Sequence, residues 1–121
     1  MKQKIIGVFD IGYENVQLVL REGTGGEFHL YPEKTVARIK VGAEQESWKK
    51  LVAVLHHEVF EFALTRANCR YLCREDISGD HSAYKFFFDH PTFSEVCAKA
   101  SEFIVEALPL LEKEWKKWAK K

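Results

Sequence analysis

Three residues of the chain, His57, Glu58 and Glu61, combine residue types and a spacing that suit metal chemistry. Residues four apart on a helix share one face, so a helix over this segment would let His57 and Glu61 reach one ion. Imidazole together with carboxylate suits zinc or another divalent first-row metal. Glu58, directly after the histidine, is placed to take a proton from a metal-bound water and is therefore the candidate catalytic residue.

The string HEVFE, which begins at His57, departs from the zinc-binding pattern H-E-x-x-H at its last position. Glu61 stands where the second histidine is expected, and it adds negative charge to the site. The alternative interpretation is that His57 and Glu61 pair on the helix surface or form hydrogen bonds with neighbouring loops. The residues alone leave both interpretations open.

A metal site would need a third ligand, and the sequence offers the candidates Glu95, His90, His81 and Asp80. Glu95 has a competing structural role, because Thr92 and Glu95 have the spacing of a capping box at a helix start.

The cysteines offer a second, weaker arrangement. Cys69 and Cys73 would permit zinc together with two of His81, His90 and Cys97, but no second tight pair accompanies them. Buried thiols without a ligand role are the favoured interpretation. His29 and His56 have no partner that the sequence identifies.

The segment that carries the candidate site predicts the central helix of the fold. Residues 51–64 (LVAVLHHEVFEFAL) contain neither Gly nor Pro, and apolar residues recur at helical spacing. Further apolar residues populate the opposite side, which predicts a helix buried most of the way round. Imidazole and carboxylate groups in such a segment are expensive to bury unless they are paired, hydrogen-bonded or bound to metal.

The remaining elements predict one α+β domain over residues 1–121, in which a small antiparallel-leaning sheet of three or four strands packs on two long helices. Residues 1–42 are β-rich, with strands expected over residues 5–10, 16–20, 28–31 and 37–41 and with Gly12 and Asn15 as turn residues. The central helix covers residues 44–66, and a loop or flap covers residues 67–91. A C-terminal helix, or a pair of helices divided at Pro109, covers residues 92–119.

Composition argues against several partner classes. Eighteen basic residues balance eighteen acidic ones, so the net charge does not indicate nucleic acid or an anionic membrane as a partner. No apolar run approaches the roughly 20 residues of a transmembrane helix. The N-terminal residues lack a signal-peptide pattern, and the odd cysteine count lacks a disulfide-scaffold pattern, so a cytoplasmic location is expected.

The order of segments resembles that of small zincin-like proteins encoded by phages or prophages. The resemblance rests on the strand ARIKV, the helix SWKKLVAVLHHEVFEFAL and the later segment HPTFSEVCAKASEFIVEAL. It implies a zinc-binding protein, with His57, Glu61 and Glu95 as metal ligands and Glu58 as general base. It also implies a metal-dependent peptidase activity, reduced or lost because the motif is degenerate. By contrast, IIGVFDIGYEN resembles the first strand and turn of actin-like ATPases over barely a dozen residues, and is interpreted as a turn.

The second hypothesis is a non-catalytic interaction protein, also of phage origin, with a protein or peptide as partner. The aromatic run at residues 84–88 or the tail with Trp115 and Trp118 would form its contact surface. The histidine and the two glutamates of the central helix would then be a buried polar network that fixes helix packing.

Overall fold

A four-stranded sheet forms the first half of the fold. The computed structural model describes residues 2–30, 36–72 and 84–119. The strands are β1 (Gln3–Ile11), β2 (Glu14–Arg21), β3 (Gly26–His29) and β4 (Ala37–Gly42), in the order β1-β2-β4-β3. β1 with β2 and β3 with β4 are antiparallel, whereas β2 with β4 is parallel. Together with the two helices described below, this mixed sheet confirms the predicted α+β class.

The turn between β1 and β2 lies at Gly12 and Tyr13, since Ile11 pairs with Glu14. Gly12 has a φ of 65°, a left-handed conformation that glycine adopts without strain. The prediction of Asn15 as a turn residue was wrong, because Asn15 lies in β2 opposite Asp10. β3 begins and ends two residues earlier than predicted.

The central helix, α1 (Trp48–Arg66), begins directly after a serine whose side chain accepts a hydrogen bond from a backbone N–H of the first turn. Ser47 is the N-cap residue, and its Oγ accepts a hydrogen bond from the Lys50 backbone N–H at 3.1 Å. The C-cap residue is Ala67, and Asn68 follows with a φ of 61°, a left-handed conformation that commonly ends a helix.

The second helix, α2 (His90–Ala119), begins earlier than predicted and runs without a break. The predicted capping box of Thr92 and Glu95 was wrong: Asp89 Oδ1 accepts a hydrogen bond from the Thr92 backbone N–H at 2.9 Å, so Asp89 caps the helix. Pro109 lies inside the helix and does not divide it into two.

A short ribbon joins the two helices. Its strands, β5 (Arg70–Leu72) and β6 (Tyr84–Phe86), pair antiparallel. The aromatic run at residues 84–88 permits either a short strand or a hydrophobic flap. β6 forms the strand over residues 84–86, whereas β5 was not predicted. The polar loop at residues 74–82 lies outside the described residues.

Both helices share one core with the sheet. Alternate residues of β2 and β4 pack with α1 and α2, as a half-buried sheet requires; they are Val16, Leu18, Leu20, Ala37, Ile39 and Val41. The predicted inner stripe of α1 is confirmed at Leu51, Leu55, Val59, Phe62 and Ala63. In the part of the chain that the structure describes, no helix combines the length and apolar character needed to cross a membrane.

The prediction that α1 is buried most of the way round was wrong on its outer side. Val54, Phe60 and Leu64 on its outer side are only half-buried, and the side chain of His57 is 68% exposed. The sheet and α2 cover one side of α1, which leaves the imidazole in solvent. The burial cost inferred from the sequence therefore falls on Glu58, whose side chain is 10% exposed, and not on His57.

Candidate functional site

A continuous groove runs between β3 and the outer side of α1. It consists of three adjoining concavities of about 350, 600 and 560 Å³. The first two share Gly26, His57 and Glu58, and the last two share Leu30 and Arg70. We call this feature the edge groove; it extends from Lys50 near the start of α1 to Tyr71 in β5.

The edge groove exists because α1 lies close along β3. A Cβ atom on Gly26 would be 2.9 Å from Val54 Cγ1 and 3.0 Å from Glu58 Cγ, so only glycine fits beneath the helix here. Two residues further along β3, the Phe28 ring packs edge-on against Phe62, with ring centroids 5.8 Å apart. These two contacts hold α1 and β3 at a fixed separation.

β3 is an edge strand of the described sheet, and its residues line the groove. The Gly42 N–H donates to the Gly25 carbonyl at 2.8 Å, so Gly25 and Gly42 form a hydrogen-bonded pair of the ladder. Because such pairs alternate in antiparallel strands, Gly26 and Phe28 direct their N–H and C=O groups away from β4. At the end of the strand, the Leu30 carbonyl accepts a hydrogen bond from Arg66 Nη2 at 3.1 Å.

The predicted residues of α1 come together in the middle of this groove. His57 Nε2 lies 2.9 Å from Glu61 Oε2 and 3.9 Å from Glu58 Oε2. Glu61 is also an ion-pair partner of Arg70, whose Nη1 is 3.6 Å from Glu61 Oε1. The predicted pair between His57 and Glu61 is therefore present, and Arg70 from β5 joins it.

Burial affects the chemistry of Glu58 more than that of its neighbours. Desolvation raises the pKa of the Glu58 carboxyl, and the nearby carboxylates of Glu61 and Glu27 raise it further. The imidazole of His57 acts in the opposite direction but does not cancel the effect. A carboxyl with a raised pKa, lining an open groove, is a group that can exchange protons with a ligand.

Three residues of the groove were not predicted from the sequence. Glu27, His29 and Arg70 line the same concavity as the α1 residues. Glu27 is held by Arg21, with Nε–Oε1 and Nη2–Oε2 distances of 2.9 and 2.8 Å. The two-residue spacing of Glu27 and His29 in a strand was a usable signal, but nothing local to Arg70 indicates its position beside α1.

The structure places the other predicted ligands elsewhere. Glu95 lies in a different cleft, beside the β1–β2 turn, and pairs with Lys99 at 2.8 Å. His90 is the exposed first residue of α2, while Asp80 and His81 lie outside the described residues. Across residues 2–30, 36–72 and 84–119, no group of three or more His, Cys, Asp or Glu side chains is arranged to hold a metal ion.

The remaining cysteine and histidine candidates have ordinary surroundings. Cys69 is buried, with its thiol 3.6 Å from the Ala67 carbonyl oxygen, and Cys97 is half-buried. Cys73 lies outside the described residues. His56 Nδ1 is 2.8 Å from the Val52 carbonyl oxygen, and its ring stacks on Phe60.

An exposed aromatic surface adjoins the far end of the edge groove. Tyr71 packs against Phe87, and Phe88 stacks on Phe93, yet each of these four side chains is about half exposed. We call these four residues the aromatic patch. Because Tyr71 also lines the last concavity of the groove, the two features are continuous.

The C-terminal tryptophans, in contrast, contact the body of the protein. Trp115 Nε1 donates to the Ala43 carbonyl at 3.1 Å, and its ring packs against Trp48. Trp118 lies beneath the Lys2 ammonium at 5.1 Å. Of the two contact surfaces considered from the sequence, the run at residues 84–88 is the more exposed at Phe87 and Phe88, which belong to the aromatic patch.

The groove and the patch are the features from which a function can be inferred. Comparisons of the chain with known protein families, with curated proteins and with solved structures give no match.

Proposed function

We propose that the protein binds an extended segment of a partner protein, which adds to the sheet as a further strand beside β3. The observation that carries this proposal is the outward direction of the Gly26 and Phe28 backbone groups within the edge groove. Unpaired N–H and C=O groups at a sheet edge bind another strand readily. Such binding leaves main-chain hydrogen bonds to supply affinity and the groove walls to supply specificity.

The length of the groove suits such a segment. The wall formed by α1 runs from Lys50 to Thr65, which at 1.5 Å per residue is about 22 Å. An extended segment rises about 3.3 Å per residue, so about six or seven residues fit. A partner that continued beyond Tyr71 would meet the aromatic patch, where half-exposed rings offer further apolar contact.

Selection from a library of blocked, randomised hexapeptides on the immobilised protein tests this proposal. Bound peptides should perturb the backbone amide resonances of Gly26 and Phe28. N-methylation of one set of alternate residues in a selected peptide should abolish binding, whereas methylation of the other set should leave it, because only one edge of the peptide pairs with β3. Equal tolerance of both sets, or perturbations away from β3, would contradict strand addition.

Metal binding is the second candidate, favoured by the approach of two carboxylate oxygens to His57 Nε2 at 2.9 and 3.9 Å. We propose that His57 and Glu61 would bind zinc or another divalent metal. In a peptidase, Glu58 would then be the general base toward a segment in the same groove. The predicted third ligand, Glu95, pairs with Lys99 in another cleft. The phage or prophage origin stays a prediction.

Elemental analysis of the purified protein, before and after incubation with zinc, tests the metal candidate. About one equivalent that survives dialysis and is lost in His57→Ala would support it, and zinc should then raise the melting temperature. Glu58→Gln should retain the metal and lose any peptide hydrolysis. Zinc that remains bound to the alanine variant would rule out His57 as a ligand.

A further inference from the structure

The walls of the edge groove carry three carboxylates with unequal compensation of their charge. Glu27 has the guanidinium of Arg21 within 2.9 Å, and Glu61 has His57 at 2.9 Å and Arg70 at 3.6 Å. Within the described ranges, Glu58 has His57 as its single ion-pair partner, at 3.9 Å. Of the three carboxylates, Glu58 is therefore the one whose nearest basic partner is the most distant.

Glu58 is also the most buried of the three. Its side chain is 10% exposed, against 19% for Glu61 and 38% for Glu27. Removing a carboxylate from water is unfavourable unless a cation or hydrogen-bond donors replace the lost hydration.

We propose that the bound segment carries a lysine or arginine whose cationic group lies between Glu58 and Glu61. This inference rests on the proposed strand addition, which brings a segment into the groove, and names the chemistry of that segment. Alternate side chains of an added strand point toward the helix-covered face, where Glu58 and Glu61 line the wall. A cationic side chain there would place a positive charge beside Glu58, whose ion-pair partner in the described ranges is His57 at 3.9 Å.

Charge in the groove favours a basic segment over an acidic one. The middle concavity is lined by Glu27, Glu58 and Glu61 but by a single fixed cation, Arg70. An acidic side chain between Glu58 and Glu61 would meet like charges, which opposes binding. The expected signature is therefore a basic residue at one position of the segment, with β-branched or aromatic residues flanking it.

Matched peptides test this inference. A selected hexapeptide containing lysine would be compared with its norleucine counterpart by calorimetry, on the full chain and on Glu58→Gln. Loss of the ammonium should weaken binding about tenfold or more, since a hydrogen bond to a charged group is lost. Glu58→Gln should weaken binding of the lysine peptide similarly and should leave the norleucine peptide unaffected. Glu102→Gln, at an exposed position of α2, is the control and should change neither.

The outcomes separate this inference from the proposed function. Peptides that perturb Gly26 and Phe28 but show no enrichment of lysine or arginine would overturn the charge inference and leave strand addition intact. Lysine and norleucine peptides of equal affinity would do the same. If no hexapeptide binds at β3, strand addition itself fails, and the inference fails with it. Protein melting curves would show whether Glu58→Gln remains folded.

Discussion

Gly26 and Glu58 are in such close contact that a Cβ atom on the glycine would lie 3.0 Å from Glu58 Cγ. The φ of Gly26 is not positive, so the glycine is required by space and not by an unusual backbone conformation. This contact sets how near α1 lies to β3. It therefore determines both the width of the edge groove and the burial of Glu58.

Replacing Gly26 with alanine should push α1 away from β3. The new methyl group would meet Val54 Cγ1 and the Lys40 carbonyl oxygen as well as Glu58. Overpacking of this kind lowers the free energy of unfolding by about 1–3 kcal/mol. Urea denaturation provides the measurement. Thr24→Ala, at an exposed position in the preceding loop, is the control and should change the free energy of unfolding by less than about 0.5 kcal/mol. A Gly26→Ala variant with the same free energy of unfolding as the wild type would show that α1 has room to shift.

Glu58→Gln should make the protein more stable at pH 7, by an amount on the order of 1 kcal/mol. Burial raises the pKa of Glu58 in the folded state above its unfolded value, so the folded state holds the proton more tightly. Stability from this group is thus fully present at pH below the unfolded pKa. It is lost as pH rises through the folded pKa.

Urea unfolding between pH 4 and pH 8 measures this dependence. The free energy of unfolding of the wild type should decrease as the pH rises, and this decrease should be absent in Glu58→Gln. Glu102→Gln, exposed on α2, should follow the wild-type curve. Parallel curves for wild type and Glu58→Gln would contradict the assignment of the decline to this carboxyl.

Arg66→Ala should lower the free energy of unfolding by about 1–3 kcal/mol. The guanidinium binds Glu14 through two hydrogen bonds of 2.8 and 2.6 Å and also donates to the Leu30 carbonyl, so it joins α1 to two parts of the sheet. Arg66→Lys keeps the charge but loses the paired geometry, and should fall between wild type and alanine.

Thermal and urea unfolding measure both Arg66 variants. Lys116→Ala removes an exposed pair with Glu112 at 3.3 Å and is the matched control, with an expected change below about 1 kcal/mol. A lysine variant as stable as wild type would mean that charge alone explains the effect of Arg66.

Pro109→Ala should raise the free energy of unfolding by about 1–3 kcal/mol. Pro109 lies exposed in the interior of α2 and has no N–H to donate to the preceding turn. Alanine restores that donor and is the best helix former. Ser101→Ala, at another exposed position of α2, estimates the gain from helix propensity alone. If the two variants gained equally, the proline would impose no penalty of its own.

Local patterns predicted the elements of the fold well. The 3.6-residue period identified the inner stripe of α1, and the four-residue spacing identified the pair between His57 and Glu61. The start of α2 was misplaced because Asp89 and Thr92 can both cap a helix, and proline is tolerated anywhere in the first turn. Which of the two residues is the N-cap depends on the backbone conformation, which the sequence does not show.

The surroundings of the site depended on long-range packing. Arg70 reaches Glu61 only because the chain reverses after α1 and enters β5. The exposure of His57 follows from the position of α1 over the edge strand β3 and not from the residues next to it. No periodic pattern or residue spacing in the sequence indicates either relationship, so neither could be predicted from it.

The strand order β1-β2-β4-β3 means that β3 is joined to the sheet solely through β4 in the described structure. Any local opening that frees β4 from β2 releases β3 as well, whereas β3 can detach alone. The amide hydrogens of β3 should therefore exchange with deuterated solvent at least as fast as those of β4. A segment bound beside β3 would add hydrogen bonds to this edge of the sheet, and binding should be visible as slowed exchange of the β3 amide hydrogens.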